Sequence, residues 1–359
     1  MNVNVFYRNG FKCLLLIASI MLLQSCGFVK NKFGGGKGGD DGISNGEITA
    51  TARKGYRSTT PAGMVQIPSG SFLMGQSDED LLATMSNMNK RVTVASFYMD
   101  DTEITNHEYR QFVNALLADS ISVLGEEEIM SQYYPDTTVW TKDFTYTFNE
   151  PMTQYYFMHP GFDTYPVVGV SWIGAQYFCK WRTNIYNEYR TNEGMFASMA
   201  FRLPTEAEWE WAARGGKAGA KYPWGNPYTM NAKGCFLANF KPQRGNFDMD
   251  GYAYTAPANA YNPNDFGLYN MAGNVAEWTL DAYADNSTMV TWDMNPRNDQ
   301  PDEPRKIVKG GSWKDVAYFL QVGARSYELE NEKRSYLGFR CIMDNMDGRF
   351  GGEGGRRRR

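Results

Sequence analysis

Arg202-Leu203-Pro204-Thr205-Glu206-Ala207-Glu208-Trp209-Glu210 is the stretch from which the fold is read. Thr205 with Glu208 three residues later is a capping box. Hydroxyl and carboxylate each satisfy an amide that a helix start leaves without a partner. The pattern predicts a short helix stopped by Gly215-Gly216. The same signal recurs at Thr105-Asn106-His107-Glu108. It opens a helix from Asn106 to about Leu117, with Tyr109, Phe112, Val113 and Leu116 on one face. Ser171 can cap a third helix through Trp181 or beyond, burying Ile173, Tyr177 and Trp181. Strand-like pieces are short, at 64–67, 91–99, 305–308 and 321–324. Long irregular stretches join them, which is unusual unless loops are functional or are pinned by ions or aromatic rings.

Composition agrees with a loop-rich α/β domain. Of 359 residues, 42% are hydrophobic and 15% aromatic, enough for one large core or two modest ones. The net charge of -4 gives no sign of a nucleic-acid partner. His107 and His159 are the only two histidines, so a site needing clustered histidine ligands is excluded.

The first residues read as an export signal. Arg8 and Lys12 precede an apolar run from Leu14 to Leu23, too short to span a bilayer. Leu23-Gln24-Ser25-Cys26-Gly27 resembles a bacterial lipobox, which implies cleavage after residue 25 and lipidation of Cys26. The bland alternative is an ordinary signal peptide with an incidental cysteine. Gly27 is not acidic, and this favours an outer-membrane anchor facing the periplasm. Residues 26–60 read as a flexible Gly-rich tether, 61–345 as the domain, and 346–359 as a disordered Gly/Arg tail.

Further strings follow in order: Ile67-Pro68-Ser69-Gly70-Ser71-Phe72-Leu73-Met74-Gly75, Tyr165-Pro166-Val167-Val168-Gly169-Val170-Ser171-Trp172 and Tyr222-Pro223-Trp224-Gly225-Asn226. Then come Phe266-Gly267-Leu268-Tyr269-Asn270-Met271-Ala272-Gly273-Asn274-Val275-Ala276-Glu277-Trp278, Lys309-Gly310-Gly311-Ser312-Trp313 and Leu337-Gly338-Phe339-Arg340-Cys341. With the two capping-box segments, they resemble the formylglycine-generating-enzyme (sulfatase-modifying factor) family. The resemblance implies a single loop-rich α/β domain related to C-type lectins. In active members, two cysteines five positions apart between the last two strings bind copper(I). Here those positions fall on Ala317 and Val322, so no catalytic residue and no copper are expected. A non-haem iron oxidase of the ergothioneine type also resembles this domain, but it needs a His-rich site.

The resemblance also implies a cystine between Cys179 and Cys341, leaving Cys235 as a buried free thiol or an intermolecular one. The alternative is three buried thiols. It implies structural calcium as well. Asn239, the Phe240 carbonyl, Asp250 and the Tyr252 carbonyl match one site, and Asn274 and Glu277 match side chains of a second. The alternative for the second pair is hydrogen bonding within turns.

The segments 71–80, 96–100 and 103–113 look like the GldK/PorK lipoproteins of gliding motility and type IX secretion, with the GldJ type as a close competitor. That subgroup implies a non-catalytic structural subunit of a periplasmic ring. Its partners would be a GldN/PorN-like protein, further copies of itself and other secretion or motility subunits. An enzyme or a glycan-binding module on the same fold is the alternative. Residues 119–165 insert Tyr133, Tyr134, Trp140, Phe144, Tyr146, Phe148, Tyr155, Tyr156, Phe157 and Met158. They are expected either to form partner contacts or to pack on their own domain.

Overall fold

The computed structural model describes residues 59–76, 88–119, 125–146, 150–243, 245–285 and 291–346. The export signal, Cys26, most of the tether and the Arg tail lie outside the described residues. So do Phe148 and part of the insertion.

Helix α1 (Asn106–Asp119) starts at the expected capping box, where Glu108 accepts from the Thr105 amide at 2.8 Å. Its inner face is Tyr109, Phe112 and Val113, with Leu116 packed alongside. Three short helices lie in the insertion: α2 (Glu126–Gln132), α3 (Val139–Asp143) and α4 (Pro151–Tyr155). Helix α5 (Trp172–Asn192) is capped by Ser171, whose Oγ accepts from the Gly174 amide. Its buried face differs from the expected one. Gly174, Ala175, Phe178 and Cys179 face inward, whereas Tyr177 is 41% exposed. Phe178 stacks on Tyr109 with centroids 5.6 Å apart, and this contact sets the rotation of the helix. Helix α6 (Glu206–Arg214) carries the complete capping box and ends at Gly215 with φ 58°, the left-handed conformation glycine tolerates.

Four strands form one sheet in the order β1 (Met64–Ile67), β4 (Phe97–Asp100), β10 (Ile342–Asp344), β5 (Phe201–Arg202). A ribbon pairs β2 (Gly70–Met74) with β3 (Lys90–Val94), so the single strand expected over 91–99 is divided between two sheets. The second four-stranded sheet runs β8 (Ser326–Leu329), β7 (Arg305–Lys309), β6 (Ala276–Ala282), β9 (Leu337–Gly338). No strand forms at 321–324. A Cβ on Gly323 would lie 2.5 Å from the Gly75 carbonyl oxygen, so this backbone packs against another backbone instead of entering a ladder.

The main core joins α1, α5 and the first sheet around Tyr109, Phe178 and Phe339. A second core surrounds Trp209 on α6.

Candidate functional site

Buried charge is concentrated where α6 meets β6 and β7. Both Glu277 oxygens accept from Arg340, at 2.6 and 2.7 Å, and Oε2 also accepts from Trp209 Nε1 at 2.8 Å. Glu103 accepts from the Asn274 and Asn270 amides at 3.0 and 3.2 Å. Burial pushes its carboxyl up to about 8, with Glu277 adding and Arg340 and Asn274 opposing. Glu210 accepts from Arg214 at 2.7 Å and from Lys309 at 3.2 Å, and Glu206 pairs with Arg325. Asp281 accepts from the Glu206 amide at 2.6 Å and from the Asn298 amide; burial pushes it up to about 7. The ion pairs are buried and mutually satisfied, so each depends on its partner to stay charged inside the fold.

Of the first set of calcium candidates, Asp250 is held against the Phe240 and Tyr252 backbone. Asp250 Oδ2 accepts from the Phe240 amide at 2.7 Å, and burial raises its carboxyl above the ordinary range. Asn239 Nδ2 donates to the Tyr254 carbonyl at 2.7 Å, while its Oδ1 is buried without a partner. An orphaned amide oxygen, one residue from an amide that a carboxylate accepts from, fits a hard cation. Gly273, with φ 80°, lets the next loop close on this one: a Cβ there would lie 2.2 Å from the Asn239 carbonyl oxygen. The second pair is not brought to a common cation. Glu277 is held by Arg340 and Trp209. Asn274 is spent on Glu103, the Ala256 backbone and Asn239.

Cys179 and Cys341 stand with sulfurs 3.3 Å apart, both buried. Cys235 is exposed, contrary to the expected buried thiol, because it sits in a surface turn organised by Asn231. Ala317 and Val322 serve packing. Ala317 lies against the Tyr222, Phe240 and Leu320 cluster, and Val322 is fully buried in the Trp209 core. Copper(I) wants soft thiolate donors. Residues 310–325 contain none, so this loop does not fit that ion.

The insertion packs largely on its own domain. Trp140 is 1% exposed, stacks on Trp313 at 5.8 Å and meets Tyr156 at 4.9 Å. Asp143 accepts from Lys314 at 2.6 Å and from Ser335. It therefore seals the Gly-Gly-Ser-Trp loop, and chiefly Tyr146, Tyr155 and Met158 remain outside. Of the two expected roles, packing on its own domain is the one seen; residue type could not choose, because an aromatic-rich tract is compatible with either.

An open cleft of about 510 Å³ lies at the start of α1. Thr102, Thr105, His107, Asp163, Thr164 and Asn259 line it. Hydroxyls, an amide and acidic groups give it the means to meet a main chain. Neither His107 nor Asn259 was selected as a site residue from sequence.

A family model for the sulfatase-modifying factor enzyme 1-like domain matches residues 49–345. The chain belongs to this family. It is 32% identical over 317 residues to the formylglycine-generating enzyme of Bos taurus, covering 81% of this chain and 77% of that one. It is 30% identical to the inactive C-alpha-formylglycine-generating enzyme 2 of Bos taurus, over 77% of this chain and 87% of that one. Among solved structures it resembles PvdO from Pseudomonas aeruginosa, with TM-score 0.57 and 23% identity over 79% of this chain and 94% of that one. That likeness supports the mixed α/β single-domain fold. A tie to C-type lectins does not follow from it.

These findings correct the expected function. A non-catalytic subunit of a type IX secretion ring has no support here, since curated relatives across most of the chain are named enzymes. Relatives named inactive occur at similar identity. Losing cysteine at 317 and 322 therefore does not by itself take the chain out of an enzyme family.

Proposed function

We propose that this chain is a polypeptide-binding member of the sulfatase-modifying factor family, exported and held at a membrane through Cys26. Formylglycine is an aldehyde-bearing amino-acid residue, so the relatives that generate it handle polypeptides. That substrate class is what carries over. The open cleft at Thr102, Thr164 and Asn259 is the observation that supports it: its hydroxyl and amide groups can pair with a peptide main chain while the rest of its lining packs against side chains. A calcium ion at Asn239, Asp250 and the Phe240 and Tyr252 carbonyls would hold the loops beside this scaffold in place.

A photo-crosslinking residue at position 259 of the full exported chain tests the reading. Covalent capture of polypeptide is expected, and a hydrazide probe then reports whether the captured chain carries an aldehyde. Capture of lipid or glycan without polypeptide would refute the proposal. The anchor is tested separately: C26S should release the protein from the membrane fraction, and retention would refute lipidation at Cys26.

A further inference from the structure

Helix α5 runs on past the core it packs against. Phe178, Trp181, Ile185 and Tyr189 are three or four residues apart and so share one face. Phe178 is buried and Trp181 packs on the main core, but Ile185 is 48% exposed and Tyr189 55%. The apolar stripe therefore leaves the core and stays open to solvent.

The loop that follows, Gly194-Met195-Phe196-Ala197-Ser198-Met199-Ala200, carries no charge. Phe196 is 83% exposed, and Ala197, Met199 and Ala200 are exposed with it. The loop is nonetheless fixed to the helix. The Arg190 carbonyl accepts from the Met195 amide at 2.8 Å, and Arg190 Nε donates to the Phe196 carbonyl at 2.7 Å. Asn187 Oδ1 accepts from the Ser198 amide at 2.7 Å, and Thr183 Oγ1 from the Phe201 amide at 2.8 Å. At 100° per residue, Thr183, Asn187 and Arg190 lie on the side of α5 turned away from Ile185 and Tyr189. Apolar groups thus flank the end of the helix on both sides. Between 183 and 200 the charged residues are Glu188, Arg190 and Glu193, and Arg190 is buried, so the surface offers no exposed cation.

The same arginine marks where the chain from Cys26 enters the domain: Arg190 Nη1 donates to Thr59 Oγ1 at 2.9 Å. One guanidinium therefore holds both the Phe196 loop and the domain end of the tether. The composition of residues 26–58 predicts a Gly-rich linker, and one of that length keeps its ends about 30 Å apart on average. A lipid at Cys26 would present the helix end to its bilayer as an intramolecular event, at high effective concentration.

We propose that the end of α5 and the 194–200 loop form a membrane-docking tip, in which Phe196, Met199, Ile185 and Tyr189 enter the interfacial layer of the bilayer that carries the Cys26 lipid. The inference rests on the Cys26 anchor of the proposed function and adds an orientation to it. A fluid interface covers both flanks of the helix end, where one protein face would cover one. Tyrosine suits headgroup depth, with its ring in apolar material and its hydroxyl in water. Without an exposed cation, docking is driven by apolar burial and gains nothing from anionic lipid.

The test reconstitutes the full chain through its lipid into phosphatidylcholine vesicles that contain a nitroxide-labelled lipid. One dye is placed on F196C in a C235S background; Cys179 and Cys341 are buried. Lipid quenching at 196 is expected to exceed that of the same dye on Cys235 of the parent, which is also exposed. With the dye moved to N192C, F196S should lower the docked-to-free ratio about tenfold or more, the effect of withdrawing one phenylalanine ring from an apolar layer. The melting temperature should hold, because that ring is exposed in the folded chain. High salt or added phosphatidylglycerol should not strengthen quenching. Equal quenching at 196 and 235, or quenching indifferent to F196S, would overturn the tip. So would shielding of position 196 that needs a protein extract and occurs without lipid quenching, which would give the surface to a protein partner. A vesicle-bound chain with position 196 unquenched sinks the tip and leaves the anchor standing. A chain that never floats with the vesicles fails the anchor and takes the tip with it.

Discussion

Replacing Trp140 measures whether the insertion is part of the domain or a surface kept for another molecule. Trp140 is 1% exposed, and Trp313, Tyr156, Phe144 and Tyr254 surround it. Its indole Nε1 is buried without a partner, so Trp→Ala mixes two effects: lost packing and relief of an unmet donor. Comparing W140F with W140A removes the second, since neither variant carries the N–H. Phe→Ala in a core costs about 3–5 kcal/mol. A domain of this size unfolds with an entropy near 0.6 kcal/mol/K at its midpoint, so the gap between the variants is about 5–8 °C. W140F itself should lie within about 1.5 kcal/mol of the parent, because the smaller ring is offset by loss of the orphan. Scanning calorimetry on the three proteins gives the values. A Phe-to-Ala gap below about 1 °C would mean that position 140 is not buried by its own domain, and the sealing of the Gly-Gly-Ser-Trp loop would be wrong.

Oxidation should join Cys179 to Cys341. Mass spectrometry of a non-reducing digest would show the linked peptides, and C179S should cost about 4–5 kcal/mol relative to the oxidised protein, given a separation of 162 residues. Recovery of both as free thiols after export to an oxidising compartment would count against the bridge. Asp281 is held at about 7, above its ordinary 3.8, by burial. Its neutral form favours the fold, so this contribution is complete below pH 3.8 and is lost as pH rises toward 7, on the order of 2–4 kcal/mol. Glu206 and Glu208 are held low despite their burial, by Arg325 and Arg202, so their contribution is lost as pH falls below the ordinary 4.5. Denaturation across pH 3–8 should therefore show a maximum in mild acid, and D281N should flatten its neutral side; an unchanged slope in D281N would refute the assignment. Calcium at a hundred times its dissociation constant should stabilise the domain by about 2.7 kcal/mol, lost with chelator and absent in D250A. A melting temperature indifferent to chelator would remove the ion.

Helix starts were legible because their signals are local. Thr105 with Glu108, Ser171, and Thr205 with Glu208 each satisfy amides within one turn, so three or four residues decide the outcome wherever the segment lies. Helix faces were less legible. Tyr177 and Phe178 are both aromatic, and only Tyr109 and Phe339 arriving from other parts of the chain select Phe178 for the core. The candidate calcium loop was half legible. Asp250 is held to the Phe240 backbone within one segment, but Glu277 was claimed by Arg340, 63 residues away.

By itself, then, the sequence determined the order of the motifs, the helix caps, the absence of thiols on the 310–325 loop and the family these imply. Those are properties of residue type and near neighbours. Only the tertiary structure decided that the insertion folds back over Trp313, and that Ala317 and Val322 fill two separate packing clusters. It alone left the Asn270 amide oxygen buried without a partner. Each of these depends on which distant surface meets a side chain. Apolar packing is non-directional, and an unmet acceptor is defined only once every neighbour is in place.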